Sequence, residues 1–219
     1  MRKMEVKAEV RKAALLRHYR DTGEFLVPVT ISNRHIHLSA QHVCALFGAD
    51  HALTFKTELF QPGQYACEET VTLKGLKGEI KNVRVLGPVR AETQVEISVT
   101  DSYALGVPPV LRLSGNTAGT PGIIIIGKKG QITIPCGVIV AERHIHLSEE
   151  EAKEFGVRDG DAVTLFTAGE RPTALMGFAA RIDANFALEA HIDTDEANAA
   201  FIKNDMLLNA LIQKEPEGR

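Results

Sequence analysis

Apolar and polar positions alternate along most of the chain from Leu26 onward, and turn signals separate the alternating stretches. A period of two is typical of half-buried β-strands, and turns such as Lys77-Gly78 and Asp159-Gly160 are typical of hairpin connections. Only short helical stretches interrupt this pattern, so it predicts a mainly β (α+β) fold of hairpins and barrels. The stretches that predict strands are LVPVTIS, VTLKGL, EIKNVRVLG, TQVEISVT, PVLRLSG, GIIIIG, QITIPCGVIVA and DAVTLFT.

The first 22 residues follow a helical pattern instead. Residues 2–19 lack Gly and Pro and are rich in helix formers, and Asp21-Thr22-Gly23 ends the run. We expect an amphipathic helix over residues 1–22 that docks on the body of the protein. The alternative is a docking or targeting peptide for a partner or a protein shell. The apolar positions at helical spacing are Val6, Val10, Ala13 and Leu16.

One hexapeptide, Arg-His-Ile-His-Leu-Ser, occurs twice, at residues 34–39 and 143–148. In a strand, side chains at positions i and i+2 leave the same face, so each copy presents two imidazoles while the Ile turns into apolar packing. A single pair of this kind is as often two accommodated histidines, but repetition in one context favours metal binding. Ser148 and Glu151 form a capping box, which predicts a helix directly after the second copy. The predicted metal ligands are His35, His37, His144 and His146.

The similarity between the two copies extends beyond the hexapeptide, since Phe47-Gly48 is matched by Phe155-Gly156. The chain therefore consists of two related halves, and we expect their histidine pairs at one shared site. A strand followed at once by a helix start also occurs twice, and matching these two turns pairs Glu96 with His191. Five histidines and one carboxylate are too many ligands for one tetrahedral ion and suit two.

Arg90 lies six residues before Glu96 and would point to the same face of a strand. Its guanidinium can hold a phosphate or carboxylate through two hydrogen bonds, and the alternative is a surface salt bridge. Residues 114–122 are small enough to approach an anion, but no Walker-type ending follows them. We expect that segment to be a connection without chemistry.

Composition excludes several classes of protein. A net charge of −3 argues against a broad nucleic-acid surface, which needs an excess of Lys and Arg. With 44% hydrophobic and 24% charged residues and no apolar run of about 20 residues, we do not expect a membrane protein. Three cysteines without C-x-x-C spacing or a secretory signal indicate reduced thiols in the cytoplasm: Cys44, Cys67 and Cys136.

Taken together, the motifs resemble those of the Pdu-type (PduL-like) phosphotransacylases, the phosphate propanoyltransferase family of propanediol utilisation and related acetate metabolism. The resemblance covers nearly all of residues 26–211. The stretches that carry it are VTISNRHIHLS, QPGQYACEETVTL, VRVLGPVRAETQVEIS, GVIVAERHIHLS and AHIDTDEANAA.

The resemblance implies a duplicated pair of β-barrels, each capped by short α-helices, with the first strand exchanged into the C-terminal barrel. The first barrel half would then be residues 34–142, and the second would be residues 23–33 plus 143–219. Two metal ions per chain, usually zinc, are implied as cofactors. His35 and His37 resemble ligands of one ion, and the ligands of the other are His144, His146, His191 and Glu96.

The implied reaction converts acyl-CoA and phosphate reversibly into acyl phosphate and free coenzyme A, with a propanoyl or acetyl group. Arg90 matches the phosphate-binding arginine of the family. Some members carry a microcompartment-targeting peptide at the N-terminus, so shell or enzyme partners for the leading helix, and a place inside a bacterial microcompartment, are implied too. The sequence leaves open whether the chain forms a homo-oligomer. Residues at the family's coenzyme A positions are Ser32, Arg84, Leu86 and Asn198.

Three other functions remain as alternatives. A binuclear metal hydrolase commonly has the motif H-x-H-x-D, but here Ser39 and Ser148 occupy the last position. A cupin-like metalloenzyme is approached by Glu150 after the second pair, whereas Gln41 stands at the matching place after the first. A purely structural metal would pin the two halves together without turnover.

Overall fold

The computed structural model describes residues 3–213, with side chains from residue 6 onward. The chain divides into two compact units. The barrel unit comprises the described parts of Met1–Ser32, Phe60–Pro62 and Glu142–Arg219, and the sheet unit comprises Asn33–Leu59 and Gly63–Ala141.

Strands dominate both units, which confirms the predicted mainly β class. In chain order the elements are α1 (Lys3–Thr22), β1 (Leu26–Ser32), β2 (His35–Ser39), α2 (Ala40–Phe47), β3 (Phe55–Glu58), β4 (Tyr65–Lys74), β5 (Glu79–Arg90), β6 (Gln94–Glu96), α3 (Val99–Leu105), β7 (Leu111–Arg112), β8 (Ile123–Ile126), β9 (Gln131–Ile134), β10 (Val138–Ala141), β11 (His144–Leu147), α4 (Glu149–Phe155), β12 (Ala162–Thr167), β13 (Thr173–Ile182), β14 (Glu189–Asp193), α5 (Thr194–Ala200) and β15 (Leu207–Gln213).

A closed barrel with the strand order β1-β14-β11-β13-β12-β15 forms the centre of the barrel unit. Strand β1 closes the ring, because it runs parallel to β14 through its second half and antiparallel to β15 through its first. Closure leaves no unpaired strand edge in the ring. The core inside it is apolar, with Val27, Ile145, Leu165 and Phe178 among the side chains that are fully buried.

Helix α1 packs against the barrel unit through its C-terminal half. Leu15 and Leu16 are buried in the core of this unit. The ring of Tyr19 contacts the ring of Phe155 edge-on, with 4.9 Å between their centres. These contacts fix the rotation of the helix about its axis.

The apolar stripe predicted for α1 is wrong in its first half. Val6, Val10 and Ala13 are exposed. The docked face instead presents Arg11 and Lys12, whose side chains are about one fifth exposed and pair with acidic groups of the barrel unit. Spacing alone could not reveal this, because the face is chosen by the leucines further along and by carboxylates distant in sequence.

The sheet unit repeats the ring of the barrel unit with one interruption. Its strand order is β7-β10-β6-β2-β5-β4-β8-β9, with β3 paired to β4. Strand β9 pairs with β8 and β10 pairs with β6, and residues 135–137 join β9 directly to β10. The segment β9–β10 thus takes the place that the continuous strand β1 takes in the other ring. This curled sheet is the counterpart of the closed barrel in the predicted duplication, and it is a half-barrel rather than a closed ring.

The strand that precedes each histidine strand in sequence belongs to the other unit. Strand β1 precedes β2 in sequence but pairs within the barrel unit. Strand β10 precedes β11 but pairs within the sheet unit. The exchange is therefore reciprocal, with the chain leaving one unit immediately before each histidine pair.

Among the described residues, no helix is both long and apolar enough to cross a membrane.

Candidate metal and active site

Each hexapeptide forms the strand that its alternation predicts. Strand β2 lies between β5 and β6, and β11 lies between β13 and β14 in the same parallel and antiparallel arrangement. The Ile and Leu of both copies are 0% exposed and fill the cores. The opposite face of each strand therefore carries the imidazoles, which are themselves buried: His35, His37, His144 and His146.

The arginine that opens each hexapeptide holds the helix after the antiparallel neighbour strand. Arg34 Nε donates to Asp101 Oδ2 at 2.8 Å, and Arg34 Nη2 lies 2.8 Å from Oδ1. The Asp101 carboxylate also accepts from the backbone N–H of Ser98 as part of the capping box of α3. In the second copy, Arg143 pairs in the same way with Glu196 of the capping box of α5. Each histidine strand is thus fixed to a helix N-terminus by a charge-assisted pair.

The serine that closes each hexapeptide is the N-cap of the next helix. Ser39 accepts a hydrogen bond from the backbone N–H of His42 in α2. Ser148 accepts from the backbone N–H of Glu151, whose carboxylate accepts from the backbone N–H of Ser148. The predicted capping box is therefore confirmed. The Arg, Ile, Leu and Ser positions of the hexapeptide therefore each have a structural task.

The first histidine cluster consists of His35, His37 and Glu96. Glu96 stands opposite His35 in the antiparallel pair of β2 and β6. The candidate ligand atoms of the three residues lie within 4.8 Å of one another, and His35 Nε2 is 3.5 Å from Glu96 Oε2. All three residues are buried. Two imidazoles and one carboxylate at such distances are a donor set that zinc accepts.

The second histidine cluster consists of His144, His146 and His191, whose candidate ligand atoms again lie within 4.8 Å of one another. His191 stands opposite His144, as Glu96 stands opposite His35. This register confirms the equivalence of Glu96 and His191 inferred from the matching turns. The rings of His144 and His191 stack with 4.9 Å between their centres, and the ring of Phe186 stacks on His146 at 4.1 Å.

Hydrogen bonds in both clusters leave ring nitrogens for a metal. Nδ1 of His35 donates to the carbonyl of Asn33 at 2.8 Å, and Nδ1 of His144 donates to the carbonyl of Glu142 at 2.8 Å. Since a carbonyl oxygen only accepts, the proton lies on Nδ1 and each neutral ring keeps a lone pair on Nε2. Nδ1 of His37 is buried without a hydrogen-bond partner among the described residues. The residues present therefore fit zinc.

The protonation of the first histidine cluster depends on burial and on its charged neighbours. Burial, helped by the nearby His35 and Arg90, lowers the pKa of His37 to about 3. Burial also acts to lower the pKa of His35, but the Glu96 carboxylate outweighs it and the pKa is raised. His37 is thus neutral at pH 7, which is the form that binds a metal ion.

Two expectations about the clusters stay predictions. The structure places Glu96 with His35 and His37, whereas the resemblance assigns Glu96 to the ion of the C-terminal half. The sequence also predicted one metal site shared by both histidine pairs. Such a site would need ligands from both units, whereas the ligand-atom distances of each cluster relate residues of one unit only. The expectation of one shared site with two ions is carried into the proposed function.

Arg90 belongs to the surroundings of the first histidine cluster. It pairs in register with Ser39 across β2 and β5, and its charge contributes to lowering the pKa of His37. Arg90 Nη1 donates to Ser114 Oγ at 3.3 Å. The guanidinium is therefore held beside the imidazoles by a hydroxyl.

Sequence reasoning missed two residues of this network. Gln94 donates through Nε2 to Glu96 Oε1 at 2.7 Å and to Ser114 Oγ at 2.8 Å, and it accepts from the backbone N–H of Gly115 at 2.7 Å. Its position two residues before Glu96, on the same face of β6, was a usable signal. Ser114 gave no such signal, because it lies in the small-residue segment 114–122, which contains no recognisable motif.

The predicted coenzyme A residues occupy two different units. Arg84 and Leu86 lie on β5 directly beside His35 and His37. Arg84 Nη1 donates to the carbonyls of Cys67 and Glu68, both at 2.9 Å, which fixes the side chain. In the barrel unit, Ser32 ends β1 and Asn198 is exposed on α5. Their common role stays a prediction.

Comparison with known proteins identifies the family of the chain. A family model described as phosphate propanoyltransferase matches residues 28–203. The chain is 50% identical over 188 residues to a phosphate propanoyltransferase of Rhodobacter capsulatus, covering 86% of this chain and 87% of the relative. It is 52% identical over 181 residues to the one of Thermotoga maritima, covering 82% and 86%, and 50% identical over 179 residues to the one of Salmonella typhimurium, covering 81% and 85%. The chain therefore belongs to the phosphate propanoyltransferase family and is an acyltransferase.

Proposed function

We propose that the protein transfers a short acyl group reversibly between coenzyme A and inorganic phosphate at a dinuclear zinc site. The observation that carries the proposal is the pair of buried histidine clusters in register-equivalent places, with Arg90 beside one of them. The names of the relatives supply the reaction class, and the donor atoms of the clusters supply the reason for zinc.

The candidate ligands are the six members of the two histidine clusters. Zinc, when bound, polarises the thioester carbonyl and favours a departing thiolate as a soft ligand. The Nδ1 hydrogen bonds of His35 and His144 support this role, because they would hold each ring with the Nε2 lone pair available to a metal ion. Burial of the imidazoles keeps water from competing for the same nitrogens.

Arg90 binds and orients the phosphate in this proposal. A phosphate oxygen attacks the carbonyl carbon of the thioester, the C–O bond forms, and the C–S bond breaks to release coenzyme A thiolate and the acyl phosphate. The charge of Arg90 offsets that of the phosphate dianion and holds it in line with the carbonyl. Ser114 keeps the guanidinium in place. No covalent intermediate on the protein is required.

Coenzyme A is proposed to contact Ser32, Arg84, Leu86 and Asn198. Arg84 is the member with a structural argument, since two carbonyl contacts fix its guanidinium beside the first histidine cluster. Such a cation suits a phosphate group of the cofactor. A place in the cytoplasm, encapsulation in a microcompartment and partners for the leading helix remain predictions from the resemblance.

The decisive experiment follows free thiol from purified protein given acetyl-CoA or propanoyl-CoA, with and without phosphate, beside metal analysis of the same sample. Phosphate-dependent thiol release, with about two zinc ions per chain, is the expected result, and the ratio of the two rates identifies the preferred acyl group. Thiol release at a rate that does not depend on phosphate would favour a metal hydrolase. Bound zinc with no thiol release would favour a structural metal, and the proposal would be wrong in both cases.

A further inference from the structure

A buried carboxylate lies beside His191 on the same face of β14. Glu189 lies two residues before His191 on β14 and is 1% exposed. Its Oε2 atom is 3.3 Å from Nε2 of His191, which is within ion-pair distance, and Nε2 has no hydrogen bond of good geometry among the described residues. Thr30 Oγ1 donates to Glu189 Oε1 at 2.6 Å, and Gln61 Nε2 donates to Oε2 at 3.0 Å. Both carboxylate oxygens are thereby fixed in direction.

Helix α1 supplies the charge partner of this carboxylate. Arg11 Nη2 lies 3.6 Å from Glu189 Oε1 and donates to the carbonyl of Leu188 at 3.1 Å. The guanidinium carbon lies 3.1 Å from the centre of the Phe60 ring, and the side chain is 20% exposed. A buried carboxylate is costly without a compensating cation, so Arg11 makes a charged Glu189 tolerable at this place.

The sheet unit has a matching residue with the opposite hydrogen-bonding character. Gln94 stands opposite His37 as Glu189 stands opposite His146. In the first histidine cluster the third member is a carboxylate, Glu96, and Gln94 gives it an N–H donor at 2.7 Å. In the second cluster the third member is an imidazole, and Glu189 offers it an acceptor. In both units, the residue at this register position therefore carries the hydrogen-bonding group that complements the third cluster member. Gln94 provides an N–H donor for the carboxylate of Glu96, and Glu189 provides an acceptor for the imidazole of His191.

We propose that Glu189 is a positioning residue for His191 and that Arg11 of helix α1 holds it in place. The inference rests on the metal ions of the proposed function. A carboxylate that accepts from one imidazole N–H fixes the ring and its tautomer and makes the other nitrogen a better ligand. Helix α1 thus helps to position the second histidine cluster through the contact of Arg11 with Glu189.

The test measures zinc affinity of the full-length chain by competition with a chromophoric chelator, starting from metal-free protein. Glu189→Gln keeps the shape but removes the charged acceptor, and we expect one of the two zinc sites to lose at least about tenfold in affinity. The matched control is Glu154→Gln, which removes another carboxylate of the barrel unit that pairs with an arginine of α1, here Arg20. That control leaves zinc affinity unchanged.

Arg11 is tested in the same assay. Arg11→Gln weakens the same zinc site in the wild-type background and has no further effect in the Glu189→Gln background, because both changes act through one carboxylate. Arg11→Lys retains most of the affinity. Arg17→Gln, on the same helix with its side chain 85% exposed, behaves as wild type. If Glu189→Gln does not fold by circular dichroism, Arg11→Gln tests the same arrangement.

Each outcome separates the inference from the proposed function. Wild-type zinc affinity in Glu189→Gln would overturn the role of Glu189 and leave phosphate-dependent activity of the wild type untouched. Additive losses in the double variant would overturn the role of Arg11. Wild-type protein that binds no zinc would remove the metal centre from the proposed function and the inference with it.

Discussion

Arg90 differs from an ordinary surface cation in two ways. It has a hydroxyl partner, and it lies close enough to buried imidazoles for its charge to act on them. Ser114 accepts from it at 3.3 Å, and its charge helps lower the pKa of His37. A guanidinium restrained in this way loses little conformational freedom when it binds an anion. That is the physical reason to place phosphate here.

Replacing Arg90 tests this role. Arg90→Ala should raise KM for phosphate or lower turnover by at least roughly tenfold, since a charge-assisted clamp of about 1.5 to 3 kcal/mol is lost. Initial rates at varied phosphate concentration measure the effect. Lys81→Ala is the matched control, because that cation of the sheet unit is 69% exposed. Phosphate kinetics like those of the wild type would remove Arg90 from the mechanism.

Replacing His144 tests the second histidine cluster. His144→Ala should abolish activity and lower the zinc content while the barrel stays folded, because the lost ring belongs to the ligand set and lies on the face of β11 opposite the apolar core. Metal analysis and circular dichroism of the same sample check both parts. His18→Ala, in a partly exposed residue of α1, should keep full zinc and activity. An active His144→Ala variant would contradict the proposed metal centre.

The sequence predicted the histidine pairs and the match of Glu96 with His191 because the duplication displays each position twice. It did not reveal Gln94, Ser114 or Glu189. A single polar residue in a strand, such as Gln94 or Glu189, or in a turn, such as Ser114, has the same local pattern whether it faces water or a metal site. What distinguishes these three is contact with residues distant along the chain, which periodicity does not encode.

At the scale of elements, each histidine strand is fixed at both ends by helix termini. An arginine ties the start of the strand to one capping box, and a serine at its end begins the next helix. The hexapeptide thereby couples ligand placement to helix capping. The capping box after the second copy was readable from sequence, whereas the arginine clamps required knowledge of which helix lies beside which strand.

Removing the cap at Ser148 should cost stability. Ser148→Ala leaves the backbone N–H of Glu151 without its acceptor and should lower the free energy of unfolding by about 1 kcal/mol. For a chain of this length that is a melting temperature lower by about 2–4 °C. Ser148→Thr keeps the hydroxyl and should behave nearly as wild type in the same thermal scan. Equal melting temperatures for Ser148→Ala and wild type would contradict the role of the cap.

Helix α1 shows where an element can be predicted and its orientation cannot. The helix was expected from composition and its end near Gly23, and it forms over Lys3–Thr22. Its docked face was predicted wrongly, since Val10 is 66% exposed while Arg11 is mostly covered. The buried carboxylate that receives Arg11 lies more than a hundred residues away in sequence.

At the scale of the whole molecule, neither half of the chain contains all the strands of its own ring. The barrel unit takes β1 from the N-terminal part, and the sheet unit takes β10 from the segment just before the second histidine pair. Two similar halves were evident from the repeated hexapeptide. The exchange of strands was implied by the resemblance for β1, and the structure adds its reciprocal partner β10.

This topology predicts how fragments behave. Residues 142–219 expressed alone should stay largely unfolded, because the ring lacks β1 and leaves β14 and β15 with open edges. Fusing residues 1–32 to their N-terminus through a Gly/Ser linker should restore a cooperative thermal transition with strand-type circular dichroism. A fusion that carries residues 33–64 in place of 1–32 is the control. Cooperative folding of residues 142–219 by themselves would contradict the prediction.

The reciprocal exchange also bears on how such a chain could have arisen. If a half-length ancestor carried one strand before one histidine pair, two separate copies could each have lent that strand to the other, as in a domain-swapped homodimer. Joining the copies end to end would convert that intermolecular swap into the present intramolecular one without moving a single strand. Once joined, the copies were free to diverge, and the difference between Glu96 with Gln94 and His191 with Glu189 is the kind of asymmetry that a strictly symmetric dimer cannot hold.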